Sequence, residues 1–69
     1  MTFAEILSEA REKKGMNKAQ AASYFGWTPM YYGRYERGQL LPTKYNYDKF
    51  ASFIGIEVES LIEIIRNNG

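Results

Sequence analysis

The chain has 69 residues, of which 45% are hydrophobic, and its formal net charge is +1. This length and composition predict one small folded domain over residues 1–69. The sequence contains no cysteine and no histidine, which excludes disulfides and removes the usual zinc ligands and the commonest general base. No apolar run approaches the ~20 residues needed to cross a bilayer. We therefore expect a cytoplasmic protein that is not an enzyme, needs no cofactor and does not associate with membranes.

The charges are distributed unevenly along the chain. Seven basic residues stand against two acidic ones between positions 13 and 49, whereas the flanking segments hold two basic and six acidic residues. A basic middle between acidic ends is typical of a protein with one surface facing nucleic acid. The alternative is ordinary solvated charge, which is common on helix surfaces.

Helix 1 is predicted from Phe3 to about Lys14, because apolar residues repeat there at helical spacing. These residues are Phe3, Ile6, Leu7 and Ala10. Capping boxes, in which a polar side chain and a residue three positions later cap each other's backbone, are predicted at two helix starts. They pair Thr2 with Glu5 before helix 1 and Asn17 with Gln20 before helix 2.

Residues 18–37 have the spacing of a helix-turn-helix motif. Ala22 is small enough for two helices to approach closely, and Gly26 can adopt the positive φ that ends one helix and turns the chain. Thr28 and Pro29 predict an N-cap and a first helical residue, with helix 3 running to about Arg37. A short helix beyond such a turn is the element that many regulators insert into the DNA major groove.

The last two predicted helices complete an all-α, five-helix orthogonal bundle. Thr43 or Asn46 is expected to cap helix 4, and helix 5 begins near Val58. Helix 5 has more apolar surface than one small core needs, which predicts a weak homodimer through this helix. The predicted interface residues are Val58, Leu61, Ile62 and Ile65. The alternative is that all of these residues cover the core of the monomer.

Over about residues 3 to 62, the chain resembles the Cro/repressor (XRE-like) family of helix-turn-helix proteins. The matching segments are Arg11, Gly15-Met16-Asn17-Lys18, Ala21-Ala22, Phe25-Gly26-Trp27-Thr28, Arg34-Tyr35-Glu36-Arg37-Gly38, Pro42-Thr43, Phe50-Ala51 and Ile54-Gly55-Ile56. The resemblance implies a lambda-repressor-like fold and a phage or bacterial transcription regulator that binds double-stranded DNA. It also implies an internal ion pair between Arg11 and Glu36, with a structural role.

The resemblance further implies which positions touch DNA. Phosphate contacts are expected from Asn17, Lys18, Thr28, Tyr31, Arg37 and Lys44. Contacts to base edges are expected from Pro29, Met30, Gly33 and Arg34. Arg34 is the strong reader among them, because a guanidinium can donate two hydrogen bonds to guanine O6 and N7. The alternative for Arg34 is a solvated surface side chain.

The other expected base-reading positions are chemically poor. Pro29 has no backbone donor, Met30 offers only apolar contact, and Gly33 has no side chain but permits close backbone approach. Tyr32 stands where the family usually has an aliphatic core residue, so we expect it partly at the surface. Aromatic residues together with methionine are typical of protein interfaces. An antirepressor that binds a repressor protein instead of DNA is therefore the alternative function.

Overall fold

A computed structural model describes residues 1–68, which form helices and no strands. The five α-helices are α1 (Phe3–Lys13), α2 (Lys18–Phe25), α3 (Pro29–Glu36), α4 (Tyr47–Ile54) and α5 (Val58–Asn68). Each lies where the sequence predicts a helix, to within one residue where a boundary was predicted. Among the described residues, none of these helices is long and apolar enough to cross a membrane.

Both predicted capping boxes are present. The Glu5 N–H donates to Thr2 Oγ1 at 3.3 Å, and the Thr2 N–H donates to Glu5 Oε1 at 2.9 Å. Asn17 and Gln20 repeat this exchange before α2, with both hydrogen bonds at 2.8 Å. These reciprocal bonds satisfy backbone donors that a helix start otherwise leaves unpaired. The Thr2 N–H also lowers the pKa of the Glu5 carboxyl.

Of the two residues expected to cap α4, Asn46 occupies the N-cap position, but its side chain does not cap the helix. Its backbone is in the right-handed helical region (φ −113°, ψ 0°), and its side chain makes no capping hydrogen bond. The Asn46 N–H instead donates to the Thr43 carbonyl at 2.8 Å, and the Asn46 carbonyl accepts from the Phe50 N–H at 3.0 Å. A backbone turn therefore leads directly into α4, without the extended N-cap conformation from which a side chain reaches back.

The core is largely aromatic. Its fully buried side chains include Phe3, Leu7, Tyr32, Phe50, Phe53 and Leu61. Trp27 stacks on Phe25 and on Tyr35, with ring centroids 4.9 and 5.1 Å apart, and so joins the turn to both helices around it. Such aromatic pairs contribute about 0.5–1.5 kcal/mol each beyond the area they bury. The orientation of α3 against the rest of the bundle is therefore fixed by rings from both ends of the turn.

Tyr32 is completely buried, which corrects the expectation that it lies partly at the surface. Its hydroxyl donates to Glu36 Oε2, so the polar tip has a partner inside the protein. Burial and this hydrogen bond both raise the pKa of Tyr32 far above its ordinary value. An aromatic residue thus fits a position that is usually aliphatic, because a carboxylate one turn along α3 accepts a hydrogen bond from its hydroxyl.

Arg11 and Glu36 form an ion pair that ties α1 to α3. Arg11 Nε donates to Glu36 Oε2 at 2.7 Å, and Nη2 donates to Oε1 at 3.3 Å. Arg11 Nη1 also donates to the Met16 carbonyl at 2.9 Å, which fixes the segment between α1 and α2. The hydrogen bond to Glu36 raises the pKa of Arg11. Arg11 therefore links α1 both to the end of α3 and to the segment that precedes α2.

Helix α5 uses most of its apolar face inside the monomer. Leu61 is completely buried, and Val58, Ile64 and Ile65 pack against the core while partly buried. This corrects the expectation for Leu61, which has no surface left for a partner because the core already covers it. Ile62 is half-buried and lies outside the residues that pack on the core.

Candidate nucleic-acid interface

The turn between α2 and α3 is built from a small residue and a left-handed glycine. Gly26 has φ +77° and ends α2, after which the Trp27 N–H donates to the Ala22 carbonyl at 2.9 Å. Ala22 is completely buried. A residue with a β-carbon pays a steric cost at such a φ, so glycine allows the abrupt change of direction. The turn predicted for the motif is therefore present, both in the left-handed glycine and in the backbone hydrogen bond that follows it.

The start of α3 is capped as the sequence predicts. Thr28 has an extended backbone (φ −74°, ψ 155°), and Pro29 occupies the beginning of the helix. Thr28 Oγ1 accepts from the Tyr31 N–H at 3.2 Å. This local order holds the first turn of α3 in place while leaving the Pro29 and Met30 side chains exposed.

Helix α3 has an inner and an outer face of different chemistry. Tyr32 and Tyr35 are buried on the inner face, whereas Arg34 is exposed and Met30 is 73% exposed on the outer face. Residues three and four positions apart share a helix face, so Met30, Arg34 and Arg37 project together. Part of this surface is a shallow depression lined by Thr28, Met30, Tyr31 and Arg34.

Gly33 does not present open backbone on this surface. It is buried, and a β-carbon built on it would lie 2.9 Å from Arg37 Nη1 and 3.7 Å from Arg37 Cζ. The guanidinium of Arg37 thus lies over Gly33, while Arg37 as a whole is exposed. Direct contact of Gly33 with a base stays a prediction, and it requires the Arg37 side chain to move.

The expected phosphate-contacting residues are exposed but lie on several elements. Asn17 caps α2 and Lys18 is its first residue, so both stand at one helix N-terminus. Lys44 lies in the turn before α4, with its Nζ 5.4 Å from the centre of the Tyr45 ring. These three residues do not line the depression on α3. Their contact with phosphates stays a prediction.

Tyr31 is partly committed to a neighbour. Its hydroxyl lies 3.2 Å from the Tyr35 hydroxyl, and its ring meets Trp27 edge to face. Burial and this hydroxyl pair raise the pKa of Tyr35. The Tyr31 hydroxyl can still bond a phosphate, because a phenol oxygen has both donor and acceptor capacity.

Two contacts on α3 were missed in the sequence, although a signal for each was present. Tyr32 and Glu36 are four residues apart, and so are Gly33 and Arg37, which is the spacing at which helical side chains meet. Long helical side chains also point back toward the N-terminus, which directs Arg37 over Gly33. Sequence spacing shows that each pair on α3 is close, whereas the Arg11–Glu36 pair joins two helices and was expected only from the family resemblance.

The packing of α2 and α3 around a left-handed glycine defines a helix-turn-helix protein. The chain belongs to the helix-turn-helix family, which it matches over residues 7–61. This agrees with the XRE-like resemblance in the sequence.

The chain is also similar to a protein of Bacillus subtilis (strain 168), named SPbeta prophage-derived uncharacterized HTH-type transcriptional regulator YonR. The two are 30% identical over 61 residues, which is 88% of this chain and 56% of the relative. The chain thus spans little more than half the length of that relative. No solved structure was found to match the chain.

Proposed function

We propose that this chain is a transcription regulator that binds double-stranded DNA with α3 in the major groove. The observation that carries the proposal is the two-faced α3, with Tyr32 and Tyr35 buried beneath it and Met30 and Arg34 exposed above. The two buried tyrosines fix the orientation of α3, so its exposed side chains stand at fixed positions. Base recognition needs such fixed positions.

The charges of the exposed residues support this proposal. Within residues 1–68, the ion pairs all involve Arg11, so Lys18, Arg34, Arg37 and Lys44 have no acidic partner. Unpaired basic side chains can neutralise phosphates and release the counterions condensed on DNA. The relative's printed name, an HTH-type transcriptional regulator, supports the same function.

Each expected contact has a distinct role in the proposal. Arg34 reads guanine through two hydrogen bonds, and Met30 touches a thymine methyl. Pro29 packs beside them, and Gly33 permits close approach of the backbone. The phosphate contacts position the domain and carry no sequence information of their own. They come from Asn17, Lys18, Thr28, Tyr31, Arg37 and Lys44.

The test is a titration of the chain against random-sequence duplex DNA at several salt concentrations. We expect Lys18→Ala to weaken binding to all sequences alike and to reduce the slope of log affinity against log salt by about one. Arg66→Ala on α5 is the matched control, because it removes a charge from an exposed residue outside the motif. No detectable binding of the parent chain at low salt would contradict the proposal.

Arg34→Ala tests the sequence-reading part of the proposal. We expect a loss of roughly 1–3 kcal/mol in binding to the preferred duplex and a relaxed preference at one base pair. Competition among duplexes that differ at single base pairs measures this effect. An equal loss on every sequence would show that Arg34 holds phosphate instead.

The second candidate function is binding of a repressor protein, as in an antirepressor. It is favoured by the exposure of Met30 and of Tyr31, since apolar and aromatic anchors dominate protein interfaces. In that case Met30→Ala and Tyr31→Ala would cause the main losses of binding to the repressor. The parent chain would then show no steep salt-dependent binding to duplex DNA.

A further inference from the structure

The outer face of α3 has a gap at Gly33, and the guanidinium of Arg37 fills it. Apart from the two neighbouring residues and the backbone of α3, the three atoms nearest to a β-carbon at position 33 all belong to Arg37, and the closest is 2.9 Å away. Real β-carbons essentially never tolerate such a distance. A residue with a β-carbon would therefore require this guanidinium, the far end of a flexible side chain, to shift.

The placement directs Arg37 along α3 instead of away from it. Arg37 is the residue that ends the helix, and its backbone N–H donates to the Gly33 carbonyl at 3.0 Å. An arginine at a helix end can extend outward, where the phosphate backbone of a bound duplex would pass. Here its side chain runs back by one turn, onto the face that also bears Met30 and Arg34.

The Arg37 guanidinium is also free to bind. Among residues 1–68, no side-chain hydrogen bond or ion pair engages it, and the residue is exposed. A guanidinium presents its donors as a planar fork that matches O6 and N7 of guanine. The face of α3 thus carries two available forks, those of Arg34 and Arg37, beside the apolar side chain of Met30.

We infer that Arg37 is a second base-reading arginine of this protein and that Gly33 is the residue that positions it. The inference rests on the proposed function and refines it, because it moves Arg37 from the phosphate backbone to the floor of the major groove. The preferred duplex then contains two guanines, one for each arginine of α3. Gly33 has no side chain to contact a base. It contributes by leaving space on the helix for the Arg37 guanidinium.

The experiment begins with selection from a random-sequence duplex library by the full chain. The most enriched duplex and its single-base-pair variants are then titrated with the parent and with Arg37→Lys. Lysine keeps the charge but loses the planar fork. We expect discrimination at one base pair, different from that affected by Arg34→Ala, to fall about tenfold while the salt slope stays that of the parent.

Gly33→Ala tests the positioning role. We expect the same base pair to lose discrimination, although Arg37 and the net charge are unchanged. The melting temperature should rise by roughly 4–8 °C, because alanine favours a helix interior over glycine. A loss caused by misfolding would instead accompany a lower melting temperature. Ser60→Ala, an exposed position on α5, is the control and should leave the base preferences unchanged.

The outcomes separate the inference from the proposed function. Parent-like discrimination ratios in Arg37→Lys would overturn the base-reading role of Arg37, while DNA binding itself stood. A changed Arg37→Lys with a parent-like Gly33→Ala would overturn the positioning role of Gly33. Failure of the parent chain to bind any duplex would overturn the proposed function and the inference together.

Discussion

Glu36 accepts hydrogen bonds from two side chains that come from different helices. Arg11 and Tyr32 both reach its carboxylate, and the side chains of Arg11 and Glu36 are only 13% and 5% exposed. Water therefore cannot replace either partner without opening the packing between α1 and α3. A buried pair of this kind is costly to break from one side, since the remaining charge stays buried alone.

Glu36→Gln is therefore expected to lower the free energy of unfolding by about 3–5 kcal/mol, because it leaves the Arg11 guanidinium without its counter-charge. Urea denaturation followed by circular dichroism measures the loss. Glu12→Gln is the matched control, because Glu12 Oε2 lies 4.0 Å from Arg11 Nη2 but the Glu12 side chain is 67% exposed. Surface pairs contribute about 0–1 kcal/mol. A loss for Glu36→Gln as small as that for Glu12→Gln would contradict a structural role of the buried pair.

The raised pKa of Tyr32 predicts a loss of stability in alkaline solution. Above the ordinary tyrosine pKa of 10.0, the unfolded chain releases this proton while the folded chain retains it. Stability is therefore complete below pH 10 and decreases above it, by about 1.4 kcal/mol per pH unit for each such tyrosine. Melting temperatures between pH 8 and 11 measure the decrease.

Two phenylalanine substitutions check the assignment to Tyr32. Tyr32→Phe should make the alkaline decrease shallower, and Tyr35, whose pKa is also raised, accounts for a further part. Tyr45→Phe should keep the slope of the parent, because Tyr45 is 86% exposed. An equal slope in the parent and in Tyr32→Phe would show that Tyr32 does not retain its proton in the folded chain.

At the scale of helices, we expect α2 and α3 to approach each other closely at Ala22, whose carbonyl accepts from the Trp27 N–H in the turn between them. Ala22 is completely buried, whereas Ala19 is exposed on the same helix. We expect Ala22→Leu to overpack the helix crossing and to cost typically 1–3 kcal/mol. Ala19→Leu should have little effect on the same thermal melts. If Ala22→Leu were as stable as Ala19→Leu, the close approach of the two helices at Ala22 would be wrong.

Helix starts that depend on neighbouring residues could be predicted from the sequence. Thr2 and Asn17 exchange hydrogen bonds with residues three positions later, and Thr28 caps the residue three positions after it. At α4 the sequence left Thr43 and Asn46 as alternatives, because this helix start depends on the backbone turn before Asn46 and not on a side-chain cap. The burial of Tyr32 could be recognised only in the fold, because its hydrogen-bond partner Glu36 is itself paired with Arg11 from a distant helix.

The candidate site shows the same division between local and tertiary information. The exposed positions of α3, Met30 and Arg34, follow from helical spacing once the motif is located. Their contacts with DNA remain predictions that come from family resemblance. The position of Arg37 over Gly33 depends on a side-chain conformation, which residue spacing alone does not specify.

For the whole molecule, the remaining question is whether two copies assemble on DNA. On α5, Leu61 is completely buried in the core of the monomer, and Val58 and Ile65 are partly buried against it. A stable interface buries about 800 Å² on each partner. Since the core already covers much of this apolar face, we expect any association through α5 to be weak.

We therefore propose that a homodimer forms on DNA through the uncovered part of α5, centred on Ile62. A duplex that binds both copies raises their effective concentration next to each other. It would also place their α3 helices about 34 Å apart, in successive major grooves. Sedimentation at high micromolar concentration should show monomer without DNA and two chains on a duplex with two sites. Ile62→Lys should remove the second chain but preserve the melting temperature, because Ile62 does not pack on the core. Monomer alone on such a duplex would contradict the dimer.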